Sequence, residues 1–148
     1  MTDMDMDMDM KKLLNALDNN KHEKILSETT KQIEESKEKI LLNLQLSKSK
    51  HNEIMKKLKL YQFVDELPDM KYGSYVRWIN ISNAERLHLT NGGIVCEIKV
   101  GEKGIIIVCR NNMNRFFQFN MNEVLIFRKM SNHELILLSA LDYISEST

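Results

Sequence analysis

One proline, two cysteines and one tryptophan occur in 148 residues, and the scarcity of cysteine removes a class of protein. Two thiols, Cys96 and Cys109, cannot build a disulfide framework, and they fall short of a closed structural zinc site unless distant histidines join them. The expectation is a reducing intracellular compartment (cytoplasm, nucleus or virion), with both thiols acting as small buried hydrophobes. The longest apolar run is five residues, 105–109, too short to span a membrane. Residues 1–10 alternate Met and Asp without the basic flank and apolar block of a secretory signal, so no membrane association is expected. There is no phosphate loop, dinucleotide fingerprint, metalloprotease helix or nucleophile elbow. His22, His51, His88 and His133 are scattered, and none stands beside a serine or cysteine as base to nucleophile. No catalytic residue, cofactor or resident metal is therefore expected.

A single proline also means that its position is informative. All five glycines and Pro68 lie at or after position 68, and residues 11–67 contain neither type. This boundary suggests a disordered Met/Asp tail over 1–10, a helical region over 11–67, a joint over 68–73 and a second region over 74–148. The aspartates of the tail would share one side of an extended chain, but no glycine turn or bidentate Glu completes a calcium loop. Within the helical region Leu26, Ile33, Ile40, Ile54 and Tyr61 fall on one seven-residue ladder, interrupted by Ser47. Thr30, Lys37, Leu44, His51 and Leu58 occupy the positions four residues after it. These are the d and a seams of a coiled coil, the a seam weakened by its polar members. Glu35 before Lys39 and Glu53 before Lys57 lie at i,i+4 on the solvated side.

A helix of about 40 residues would extend roughly 60 Å, so its apolar ridge needs a partner beyond a small globular head. Three destinations are open: self-association as a dimer or trimer, which the heptads favour, a hairpin folded back near residues 43–49, or docking on another protein. The self-associating seam would be Leu26, Ile33, Ile40, Leu44, His51, Ile54, Leu58 and Tyr61.

Beyond Pro68, five β-type segments are expected at residues 74–81, 93–100, 104–110, 115–120 and 124–129. Asn91-Gly92-Gly93, Gly101-Glu102-Lys103-Gly104 and Asn111-Asn112-Met113-Asn114 carry the residues that tight reversals need. Alternation places Val76 and Trp78 inward on the first segment, and Ile94, Cys96, Ile98 and Val100 inward on the second. Segments three to five are apolar on both faces and call for a cover. Ser131-Asn-His-Glu134 has the pattern of a capping box, and Leu135, Ile136, Leu138, Leu141 and Ile144 follow at helical spacing, so a terminal helix is the nearest cover.

One long first loop followed by three short hairpin turns, with Gly73-Ser-Tyr-Val-Arg-Trp-Ile and then Gly92-Gly-Ile-Val-Cys-Glu-Ile, resembles the opening of SH3-like and Tudor-type small barrels over residues 72–130. The resemblance implies a five-stranded SH3-like β-barrel; with the heptad ladder before it and the capping box after it, the expected chain is α+β, with a long N-terminal coiled-coil helix, the barrel and a short C-terminal helix.

Formal net charge is zero, yet residues 71–131 carry nine Lys/Arg against four Asp/Glu. Arg77, Arg110, Arg115 and Arg128 fall on or beside strands with Tyr72, Tyr75 and Phe116 interleaved, a composition suited to phosphate contact and base stacking. A peptide groove or aromatic cage would draw on Tyr72, Tyr75 and Trp78, although no acidic loop accompanies them. The Lys, Asn and Ile bias is that of an AT-rich genome, such as a large DNA virus or a parasite. Two functions follow as expectations. The first is a non-enzymatic adaptor, for instance a virion or scaffold component, that oligomerises through its helix and presents barrel modules to another protein. The alternative is a nucleic-acid-binding accessory protein using the basic barrel surface.

Overall fold

The computed structural model describes residues 28–147, which form two compact units: residues 28–35 with 130–147, and residues 36–129. The expected tail over 1–10, the first part of the expected long helix and the seam residue Leu26 lie outside the described residues.

Helix α1 (Thr30–Leu42) opens on a reciprocal cap that the heptad pattern does not reveal. The Thr29 N–H donates to Gln32 Oε1 (2.9 Å) and the Gln32 N–H to Thr29 Oγ1 (3.4 Å), satisfying donors that a helix start leaves orphaned. The helix stops after 13 residues, where the Leu44 and Gln45 N–H groups reach back to Leu41 and Leu42 and Gln45 adopts φ +55°. Ser47 then accepts the Lys50 N–H at 3.2 Å and starts α2 (Lys48–Lys57). Of the expected i,i+4 pairs, Glu53–Lys57 closes at 2.9 Å on the exposed side of α2.

Among the described residues, the long coiled-coil helix expected over 11–67 is thus corrected to two short helices, broken at 43–47 and followed by a strand. The cause is burial. Leu41, Ile54 and Leu58, each at most 3% exposed, pack with Tyr61, Ile79 and Phe127 in one apolar cluster. Burying each such aliphatic side chain is worth about 1.5–3 kcal/mol, and a reversal lets the chain's own sheet supply the cover that a neighbouring helix would have supplied.

The strands are β1 (Tyr61–Val64), β2 (Tyr75–Asn80), β3 (Gly93–Gly101), β4 (Gly104–Arg110), β5 (Phe116–Asn120) and β6 (Val124–Lys129). The last five coincide closely with the segments expected from turn chemistry and β-propensity; β1 lies hidden inside the expected helix. They form one antiparallel sheet in the order β1-β6-β2-β3-β4-β5. The expected five-stranded barrel is therefore corrected to a six-stranded open sheet, in which β1 and β5 are edges and do not pair with each other. Pro68 sits in a single 3-10 turn (Leu67–Asp69), and Met70 just after it is buried in the sheet core. The expected joint is thus part of the residue 36–129 unit.

The inner face of the sheet gathers Val64, Val76, Trp78, Val95, Ile107, Cys109, Val124 and Ile126, with no α-helical residue among them. Of the expected inward set on β3, Ile98 packs against the sheet core, while Ile94, Cys96 and Val100 are corrected, a β-bulge lying between Val95 and Glu97. An extra residue reverses which side chains face the core: Val95 is 1% exposed, Ile94 is 38% exposed, and Cys96 is exposed while Cys109 is buried. On the opposite face, Leu41, Ile54 and Leu58 cover Ile79 and Phe127 of β2 and β6.

In the other unit, α3 (Asn132–Ser147) bears out the expected capping box. The Ser131 N–H donates to Glu134 Oε1 (3.0 Å) and the Glu134 N–H to Ser131 Oγ (3.1 Å). Within this unit the apolar face of α3 is covered by the start of α1: Leu137 and Leu138 pack with Ile33 and Met130. The carboxylate of Asp142 accepts both the Thr30 N–H (2.9 Å) and the Thr30 hydroxyl (2.5 Å), joining α3 to the start of α1 within this unit. No described helix is long and apolar enough to cross a membrane.

Candidate functional site

The residues expected to form an intermolecular seam are for the most part spent inside the chain. Ile33 is buried with Met130, Leu137 and Leu138. Ile54, Leu58 and Tyr61 are buried in the cluster between helices and sheet, with Leu44 partly buried against it. Ile40 and His51 are half-buried. Of the polar a positions, Lys37 is fully buried and Thr30 bonds Asp142.

The expected ligand surface separates into three groups. Arg128 is only 5% exposed, opposite Gln62 and Val76 in the sheet, and is corrected from surface residue to interior residue. Tyr75 and Arg77 are half-buried and structural: the Tyr75 hydroxyl donates to the Asn91 carbonyl (2.5 Å) and Arg77 Nε to the Thr90 carbonyl (2.8 Å). Both clamp the loop before β3 onto β2. Tyr72 remains 64% exposed in the turn before β2.

Arg110, Arg115 and Phe116 are the members brought together at an accessible place. Arg110 and Phe116 are direct partners across the β4–β5 ladder, Arg115 immediately precedes Phe116, and Phe116 is 66% exposed. Residues directly opposite in an antiparallel pair share a face, so the Arg110 guanidinium and the Phe116 ring stand side by side on solvent. The hairpin turn between them is held by Asn111, whose Oδ1 accepts the Met113 and Arg115 N–H groups, each at 2.9 Å. Asn114 takes the left-handed conformation (φ +59°) that asparagine tolerates. From residue 104 to 122 there is no acidic side chain, so these arginines meet no carboxylate of their own hairpin.

Beside this hairpin lies a cleft of about 390 Å³, within the range of small-ligand sites. Its apolar walls are Trp78 and Phe117, whose ring centroids stand 6.2 Å apart at an interplanar angle of 59°. Phe119 backs Trp78 at 4.6 Å. The polar rim is His88, Thr90 and Asn91 from the long β2–β3 loop and Asn111 from the β4–β5 turn. Sequence reasoning misses this cleft, because alternation assigns Phe117 to the core. The available signal is the pair of asparagine-bearing loops on either side of it.

The two thiols differ in character. Burial pushes the Cys109 thiol up to about 12, with the neighbouring Cys96 adding to the rise, so Cys109 is not a thiolate near neutral pH. Among the described residues no group of three or more His, Cys, Asp or Glu side chains is placed to hold a metal ion.

Comparison with known proteins found no family model that matches this chain, and no curated protein or solved structure with significant similarity to it.

Proposed function

We propose that this protein is a non-enzymatic accessory protein that binds nucleic acid through the β4–β5 hairpin. The observation that carries the reading is the Arg110–Phe116 cross-strand pair with Arg115 beside it, exposed on a stretch devoid of acidic residues. Guanidinium groups with no carboxylate in their own hairpin are available to neutralise phosphates, and an adjacent exposed ring adds a stacking surface. The excess of base over acid across residues 71–131 strengthens the local field.

The test is fluorescence anisotropy of labelled DNA and RNA oligonucleotides against the full chain over a salt series. Binding should weaken steeply with salt. Arg110→Gln with Arg115→Gln should lower affinity and flatten the salt slope by roughly one unit for each phosphate that is no longer neutralised. Absence of salt-sensitive binding to either polymer removes the reading.

A second reading, a protein-binding assembly component, is favoured by one observation: β5 is an edge strand carrying exposed Phe116 and Phe117. An extended segment of another protein can add to such an edge. This version does not depend on a helical seam. Light scattering of native complexes, compared between wild type and a Phe116→Lys variant, tests it; identical complexes in both discard it.

A further inference from the structure

The cleft between Trp78 and Phe117 is not used by the phosphate-binding surface proposed above, and its chemistry is specific enough to ask what fits. Two aromatic walls favour a flat, polarisable occupant. No carboxylate lines the cleft, which disfavours a methylated ammonium, whose recognition is strengthened by an acidic partner. The rim is instead populated by groups that read heteroatoms on a ring.

The orientation of two rim groups is set by bonds they already make. Asn111 spends its side-chain oxygen on the Met113 and Arg115 N–H groups, so its NH₂ is the part left to donate. Thr90 Oγ1 accepts the Trp78 N–H at 3.1 Å, leaving the hydroxyl hydrogen to donate as well. The Thr90 and Asn91 carbonyls are already engaged by Arg77 and the Tyr75 hydroxyl. The cleft therefore offers fixed donors beside an aromatic wall. Asn111 of the β4–β5 turn lines the cleft, Phe117 pairs with Cys109 on the inner face and Phe116 with Arg110 on the other, so a ligand chain passing over the β5 edge meets both.

We infer that this cleft accepts a single unpaired nucleobase bearing carbonyl acceptors, of the thymine or uracil kind, which makes the protein selective for single strands. The inference rests on the nucleic-acid reading of the hairpin. A base in a duplex has its faces covered by neighbours and its edge engaged in pairing, so only an unpaired base can lay a face against the wall that Trp78 and Phe117 form together. The arginines then hold the backbone that carries it.

Trp78 is the chain's single tryptophan, so its emission reports the cleft directly. Full-length protein is titrated with oligo(dT), oligo(dA) and a duplex of equal length, following both oligonucleotide anisotropy and tryptophan emission. Oligo(dT) should quench Trp78 and bind more tightly than the duplex, with oligo(dA) weaker than oligo(dT). Phe117→Ala should weaken oligo(dT) binding about tenfold, near the lower end of what base–aromatic stacking supplies, while duplex binding stays as in wild type. Phe117→Leu keeps the apolar bulk should the alanine variant unfold, and it should show the same selective loss; Phe117→Tyr should restore binding. Equal affinity for oligo(dT) and duplex, or unchanged Trp78 emission on binding, overturns the base cleft while leaving the hairpin reading standing. Tighter binding of oligo(dA) overturns the assignment of Asn111 and Thr90 as donors. No binding of any probe overturns the hairpin reading itself.

Discussion

The Lys37 ammonium donates a hydrogen bond of 2.6 Å to the carbonyl of Leu58, the residue that caps the end of α2, and Lys37 is wholly buried. A cation there meets the negative end of the helix and shares the Leu58 carbonyl with the Tyr61 N–H, which donates to it at 3.0 Å. The residue expected to weaken an intermolecular seam thus ties the two helices of a folded-back pair to each other.

Lys37→Met keeps the aliphatic stem and removes the charged donor, leaving the Leu58 carbonyl with the Tyr61 N–H alone. A loss of about 1–3 kcal/mol is expected, read as a lower denaturant midpoint at unchanged slope. A midpoint equal to wild type would show that water replaces the ammonium at no cost.

Leu58→Ala separates a core role from a seam role. Leu58 is fully buried, and its truncation should cost about 2–5 kcal/mol without altering the molar mass measured by light scattering relative to wild type. A change in mass at unchanged stability would return Leu58 to an intermolecular seam.

Two glycines should respond differently to alanine. At Gly92 (φ +90°) an added Cβ would lie 2.3 Å from the Val76 carbonyl oxygen, whereas at Gly73 (φ +78°) it meets nothing within 4 Å. Gly73→Ala should cost only the backbone strain, about 1–2 kcal/mol. Gly92→Ala should cost clearly more and disturb the β2–β3 pairing, visible in the Trp78 emission. Equal melting temperatures for the two variants would contradict the close approach.

The thiols should react unequally. At pH 8 a maleimide should modify exposed Cys96 in the native protein and reach buried Cys109 only in denaturant. Because burial raises the Cys109 pKa from 9.0 to about 12, the native state holds that proton more tightly than the unfolded chain. Its contribution to stability is complete below about pH 9 and declines as pH rises towards 12. Cys109→Ala should flatten the alkaline limb of a stability–pH curve; an unchanged limb would assign the loss to other groups.

Ser131→Ala removes the acceptor for the Glu134 N–H, and a cost of about 0.5–2 kcal/mol is expected. Hydrogen exchange should speed up in the first turn of α3. Protection equal to wild type would mean that the cap contributes nothing to holding that turn.

Much of the sheet is legible in the sequence because its signals are local. Gly92, Gly104 and Asn114 all take the positive φ that their loops suggest, and runs such as Gly104–Arg110 and Val124–Lys129 are strands for the reason their composition implies. The Ser131–Glu134 box is readable for the same reason. By contrast, the 4-residue strand β1 is invisible inside a helical pattern, since Tyr61 satisfies the heptad ladder as well as it satisfies pairing with Lys129. Arg110, Arg115 and Phe116 stand out as basic and aromatic neighbours. Arg128 is misplaced by sequence alone because a strand arginine reads alike whether it faces solvent or Gln62.

By itself the sequence determined the turns and the extended segments beyond residue 73, and that Leu26 through Tyr61 carries an apolar ridge needing shelter. Periodicity states that a face must leave water; it does not state what will cover it. Only the tertiary structure decided that Ile79 and Phe127 cover the helices, that a bulge turns Val95 inward and Cys96 outward, and that Phe117 meets Trp78 across a cleft. Those outcomes depend on contacts between residues distant in sequence, where gains from burial outweigh local preference.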